Sequence, residues 1–214
     1  MKVAKPSIPI DLDDVVDAKA TLLKDESLAG LSFNKNDLSS VKIKSISLSE
    51  SKLTGVNLSQ AKLEKTAFQD VGLVNCNLVA TDFTDSGWQN TQIADSRCSG
   101  TQFQMCSLRD VIFNGCKLDL ANFRYAKLKN VIFRDCLISD TDFYSAELTD
   151  VVFDKCNIEK IELSNSTSKN LDLRRSELGV IYGINSLKGA IINSMQLIQL
   201  APYLAQEVGL RVED

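Results

Sequence analysis

Six cysteines, no histidine and 28 acidic side chains are the chemical inventory of this 214-residue chain. Cys76, Cys106, Cys116, Cys136 and Cys156 share one phase of a five-residue spacing, and Cys98 stands two residues off it. No C-x-x-C pair occurs. A zinc site needs closely convergent nitrogen and sulfur ligands, so neither a metal nor another cofactor is expected. Without histidine a Ser-His or Cys-His nucleophile is impossible. Asp82 and Asp142 share a phase and can be paired as acids, but exposed acids lack the enclosed pocket that shifts carboxyl pKa values. No catalytic residues are assigned, and an enzyme is not expected. The thiols read as small apolar filler, reduced in a cytosolic setting.

The elements that carry these residues do not follow a helical or a flat-strand period. Between Cys106 and Phe153 every fifth residue is Leu, Phe or Ile, and two residues before each stands Ala, Cys, Thr or Val. A helix repeats at about 3.6 and a strand at 2. The phase holds from Leu28 to Leu178, with Trp88 oversized, Cys98 small and Ser168 polar among the centres. One five-residue unit cannot bury its own apolar residue, but stacked coils of such units can.

Residues 20 apart match in kind, as four units per coil require. Phe83, Phe103, Phe123 and Phe143 make one column, and Phe113, Phe133 and Phe153 make another. Cys76, Cys116, Cys136 and Cys156 share a third, with Ser96 in the gap. These are the expected core columns of an all-β solenoid.

Units such as Ala121-Asn122-Phe123-Arg124-Tyr125 and Thr141-Asp142-Phe143-Tyr144-Ser145 resemble the pentapeptide-repeat pattern A-(D/N)-(L/F)-X-X. The resemblance covers residues 26–192. It implies a right-handed quadrilateral β-helix, here of about eight coils, with a short C-terminal helical cap. It also implies an association with type II topoisomerases: some members inhibit or protect DNA gyrase and topoisomerase IV, and some confer quinolone resistance. Some of the latter carry projecting loops that contribute to protection. This chain has no insertion in its repeats, so a partner must be met by a face, an edge or an end.

Two outward columns are candidate surfaces. Glu50, Asp70, Asn90, Asp110, Asn130 and Asp150 form an array of acids and amides along one corner. Within the resemblance such an array can imitate DNA phosphates toward a protein partner; Asp and Asn are equally the residues that tight turns favour. Ile112, Ile132 and Val152 precede centres in another column and form an expected exposed apolar strip. Such a strip marks an interface or simple β-propensity. Leu120, Tyr125, Leu137 and Tyr144 are further outward apolar residues.

Three segments are expected: an N-terminal arm and cap over 1–25, the β-helix over 26–192, and a helical cap over 193–214. Pro6 and Pro9 make residues 1–9 an extended, partly mobile arm. Residues 10–25 leave the phase and read as a cap, either a short helix or an irregular cover, against the exposed edge of the first coil. After Gly179 the fives resume with a shift of one, on Tyr182, Leu187 and Ile192. Asn193 and Ser194 can cap a helix, Pro202 is expected to divide it, Gly209 to stop it, and Leu210-Arg211-Val212 to extend beyond it.

This tail resembles the ends of quinolone-resistance pentapeptide proteins, which form a two-fold dimer. A homodimer follows as an expectation, with Leu197, Ile198, Leu200, Tyr203, Leu204 and Val208 as interface residues. Leu197, Ile198 and Leu204 are read as covering the coil below, and Leu200, Tyr203 and Val208 as the second surface.

The net charge of −4 argues against a basic patch for direct nucleic-acid binding. No apolar run reaches the about 18 residues of a membrane helix, and Met1 to Pro6 lack the apolar stretch of a signal peptide, so a cytoplasmic location is expected. Two functional readings stand: a protein-interaction module that modulates a type II topoisomerase, and a scaffold for an unrelated partner.

Overall fold

Phe113, Phe133 and Phe153 are register partners on neighbouring parallel strands. The same offset of 20 residues generates the rest of the architecture. The computed structural model describes residues 3–211. It is a β-solenoid of about eight coils, the right-handed quadrilateral β-helix, closed by a short C-terminal helix.

Why five residues close one side of a square coil is visible in the backbone. From residue 30 to residue 170 every fifth residue except Lys160 has a positive φ. Each such residue turns a corner. In the central coils two corners are hydrogen-bonded turns: the Cys98 carbonyl accepts from the Thr101 amide at 3.3 Å, and the Phe103 carbonyl from the Cys106 amide at 3.2 Å. A left-handed residue at the third place of such a turn is the type II arrangement. The other two sides run on as strands, Gly87–Ala94, Ser107–Asn114 and Lys127–Arg134.

The core is the set of inward centres. The rings of Phe103, Phe123 and Phe143 stack at 4.8 and 4.7 Å, and those of Phe113, Phe133 and Phe153 at 4.9 and 4.8 Å. The two rows meet edge-on, as in Phe123 against Phe133 at 5.9 Å. Phe83 begins the first row, and Trp88 lies buried against Phe68 with centroids 4.0 Å apart. Stacked and edge-to-face pairs are the favoured aromatic geometries.

The small residue two before each centre has a second task. The thiols of Cys116, Cys136 and Cys156 donate to the carbonyls of Ile93, Phe113 and Phe133. The hydroxyls of Thr81, Thr101 and Thr141 donate to the carbonyls of Leu58, Leu78 and Leu118 at 2.6–2.7 Å. A side chain there must be small enough for the core and, at these corners, supplies a donor to a buried carbonyl.

The N-terminal end is closed by α1 (Ala18–Lys24), whose first turn is capped by the Asp17 carboxylate accepting from the Ala20 amide at 3.0 Å. Ala18 and Leu22 are buried on the first coil. Asp13 and Asp14 pair with Leu31 and Ser32.

At the C-terminal end the break comes later than the sequence pattern implied. The strand Asp172–Tyr182 keeps the 20-residue offset at Leu178, Val180, Ile181 and Tyr182. Tyr182 is therefore not a new centre: it pairs with Glu162 and is half-exposed. The slip occurs at Gly183, which has φ 72° and whose Cβ would lie 2.3 Å from the Ser164 nitrogen. Beyond it Ile191 pairs with Asp172, an offset of 19. Leu187 and Ile192 do pack on the core.

Helix α2 (Ser194–Glu207) follows, with Asn193 and Gln196 forming a reciprocal capping box. Pro202 does not divide this helix; it lies inside it. Gly209 ends it at φ 76°, with the Leu210 amide closing on the Ala205 carbonyl at 2.8 Å. That is a helix stop rather than the start of an extended piece, and Val212 lies outside the described residues.

Candidate functional site

The inward residues offer no chemistry to solvent. Cys76, Cys98, Cys106, Cys116, Cys136 and Cys156 are free and buried. Burial pushes the Cys106 thiol up to about 12, the opposite of what a reactive thiolate needs. Among the described residues no group of three His, Cys, Asp or Glu is placed to hold a metal ion. Asp82 and Asp142 lie on one outer side. Asp82 bonds the Thr84 amide and hydroxyl, and Asp142 pairs with Arg124 at 2.9 Å.

The acidic column sits on left-handed residues. Glu50, Asp70, Asn90, Asp110, Asn130 and Asp150 all have φ between 48 and 55°. Asp and Asn tolerate that region better than other residues with a Cβ. The column is also bonded within itself: Asn130 donates to Asp110 at 3.3 Å, and Asn170 to Asp150 at 2.8 Å. Asp70 is buried, because the Ser7 amide donates to its carboxylate at 2.9 Å. The structure thus leaves a weaker acidic array than the sequence pattern implied.

The apolar strip is not exposed. Ile112 and Ile132 are buried in one cluster with Val3 of the N-terminal arm, and Val152 is partly buried against that cluster. The apolar choice at these outward positions is therefore accounted for by a resident segment of the same chain, and the arm is laid along the rod.

Three residues of the helix lie opposite to expectation. Leu200 is buried, whereas Leu197 and Ile198 are exposed. Gln196 is the side chain that reaches the last coil most directly, donating to the carbonyls of Leu173 and Ser176 at 2.7 and 2.8 Å. It escaped sequence reading because apolar periodicity does not count a buried amide. Tyr203 and Val208 are exposed and Leu204 is half-buried.

A different outer side carries the residues hardest to explain by folding alone. Met105, Leu120 and Tyr125 have φ of 57–59° and are 50, 62 and 47% exposed. Met105 and Tyr125 share one corner column, flanked by Asp85 and Ser145, and Leu120 stands between Gly100 and Asp140 in the next. Tyr125 lies edge-on to Tyr144 at 6.0 Å, and the Arg124 guanidinium sits 4.4 Å over the Tyr144 ring. Near the C-terminal end a cleft of about 950 Å³ is lined by Ser164, Ser166, Ser168, Tyr182, Tyr203 and Glu207 among others.

Fold and surfaces together define a class: a β-solenoid of stacked five-residue units with its thiols buried. The signature described as Pentapeptide repeat region matches residues 27–103 and 106–181. The chain belongs to the pentapeptide-repeat family.

Among solved structures it is similar to a trypsin-treated variant of QnrB1, a plasmid-mediated fluoroquinolone resistance protein. The identity is 19%, covering 88% of this chain and 92% of that one, with TM-score 0.46. It is also similar to HetL, involved in heterocyst differentiation regulation in the cyanobacterium Nostoc sp. strain PCC 7120. There the identity is 14%, covering 82% of this chain and 95% of the other, with TM-score 0.40. No curated protein sequence matches the chain. No helix among the described residues is long and apolar enough to cross a membrane.

Proposed function

We propose that this chain is a non-enzymatic interaction module whose docking surface is the side bearing Met105, Leu120, Tyr125 and Tyr144. One observation carries the reading. Three large apolar side chains are held both exposed and left-handed, a backbone region that costs a residue with a Cβ about 1–2 kcal/mol. The coils flanking this group use Asp85, Gly100, Asp140 and Ser145 at the same corners. Exposed apolar side chains gathered on one side, at a conformational cost, are what a docking surface needs.

The partner that the sequence resemblance puts first is a type II topoisomerase. The assay is gyrase supercoiling with the added protein, wild type beside a Met105→Asn, Leu120→Asn, Tyr125→Asn triple variant. Altered supercoiling by wild type and none by the folded triple variant supports both partner and surface. No effect of wild type sinks the topoisomerase reading and leaves the module a scaffold for another partner. An effect undiminished in the triple variant moves the contact elsewhere.

The exposed apolar residues of α2, with Ile198, Leu197 and Val208 foremost, support a two-fold contact between copies. Such a contact uses one patch twice.

A further inference from the structure

The side opposite the Tyr125 surface carries a shaped groove. We propose that it is a binding site for an extended protein segment, and that residues 3–8 are its resident occupant, held in cis. This assignment is independent of the surface proposed above and lies on another side of the rod.

Three features build the groove. Ile112 and Ile132 form an apolar floor that clusters with Val3, and Val152 extends it. In the same column stand Ser32, Lys52, Gln92 and Asp172, so the floor is apolar only where Val3 lies on it. Gly72 forms a notch: a Cβ there would sit 3.1 Å from the Ile8 Cδ1. Between these two contacts the Asp70 carboxylate takes the backbone amide of Ser7. A bound segment is therefore read as two aliphatic side chains five residues apart with a free backbone N–H before the second.

The edge of the groove adds a preference of charge. The corner column bearing Asp70, Asp110 and Asp150 borders it, and the arm offers Lys5, exposed, between its two anchors. The fitting partner is an extended basic segment with that aliphatic spacing.

The arm is built to leave. Among the described residues the Ser7–Asp70 contact is the one hydrogen bond that ties residues 3–12 to the coils. Pro6 and Pro9 have no amide to donate. Ile10 is wholly exposed, and an open gap of about 550 Å³ lies between residues 8–12 and Ser32, Asn34, Lys52 and Thr54. Downstream the chain is held again by the pairing of Asp13 and Asp14. A strap fastened at its far end and lightly held along its length can be displaced without opening a coil.

The test uses the full chain and a labelled peptide with the sequence of residues 3–12. Val3→Asp removes the arm's anchor while leaving the floor. Fluorescence anisotropy is expected to show the peptide binding Val3→Asp about tenfold or more tightly than wild type, whose groove is occupied most of the time. Adding Ile132→Glu to Val3→Asp abolishes that binding, and a Lys5→Glu peptide binds more weakly. No binding to Val3→Asp, binding no better than to wild type, or binding untouched by Ile132→Glu overturns the proposal. Dimerisation of wild type that Ile132→Glu abolishes would mean arms exchanged between copies, and would overturn the assignment in cis. Circular dichroism melts of each variant confirm that the coils remain folded.

Discussion

The Gln196 side-chain amide donates to the Leu173 carbonyl at 2.7 Å and to the Ser176 carbonyl at 2.8 Å while almost wholly buried. One side chain of the cap thus satisfies two carbonyls that the next coil would otherwise have served. Its own place is set by the box it forms with Asn193. Gln196→Leu keeps the bulk and removes the donors. It is expected to cost about 1–3 kcal/mol per orphaned carbonyl, read by urea unfolding, with faster amide exchange confined to the last coil. Exchange unchanged there would show that the seal is made by apolar cover alone.

Phe133 and Cys136 make a second comparison. Phe133→Ala opens a hole between the rings of Phe113 and Phe153 and is expected to cost about 3–5 kcal/mol. Cys136→Ser keeps a donor for the Phe113 carbonyl and should cost much less, as Ser96 stands in the same column. Thermal melts that rank the two the other way would refute the inward roles.

Leu120→Asn replaces an exposed apolar residue at φ 57° with one suited to that region. The folded protein is expected to gain up to about 1 kcal/mol, measured by guanidinium unfolding. A loss of stability instead would mean that Leu120 packs within the rod, and would remove the argument for its role in docking.

Helix α2 offers a paired test of the proposed two-fold contact. Ile198 is exposed and Leu200 buried. Ile198→Glu should leave the melting temperature in place and convert a dimer to a monomer by light scattering. Leu200→Glu should lower stability outright, because it buries a charge without a partner. A monomeric wild type at tens of micromolar concentration would dispose of the dimer.

The Cys106 thiol predicts an alkaline limit. Cys106 titrates at about 12 in the fold against 9.0 for the free side chain. A raised folded pKa means that the native state holds its proton longer than the unfolded chain. The contribution is therefore complete below pH 9 and is lost as pH rises from about 9 to about 12. Stability measured across that window should fall, and Cys106→Ala should flatten part of the fall. The native protein should also resist thiol reagents at neutral pH and react at all six cysteines once unfolded. Rapid modification of the folded protein would contradict the buried placement.

Much of this protein was legible in the residues. A period of five can be satisfied only by a coil that turns every fifth residue, so Phe113, Phe123 and Phe133 had to face inward together and residues 20 apart had to meet. The family likeness and the inward cysteines follow from that one register. What the sequence left open lies where the register stops or where two distant segments meet. Ile112 and Ile132 looked exposed because nothing local covers them; Val3, more than a hundred residues away, does. Asp70 looked free for the same reason, until the Ser7 amide reached it. Leu200 and Leu197 take the opposite faces to those read from the sequence, because an apolar helix with two apolar faces is oriented by its neighbours. The buried Gln196 decides that orientation through carbonyls on the last coil. Periodicity reports what each residue does within its own coil, whereas cover, capping and exposure are set by contacts between segments, which only the folded chain brings together.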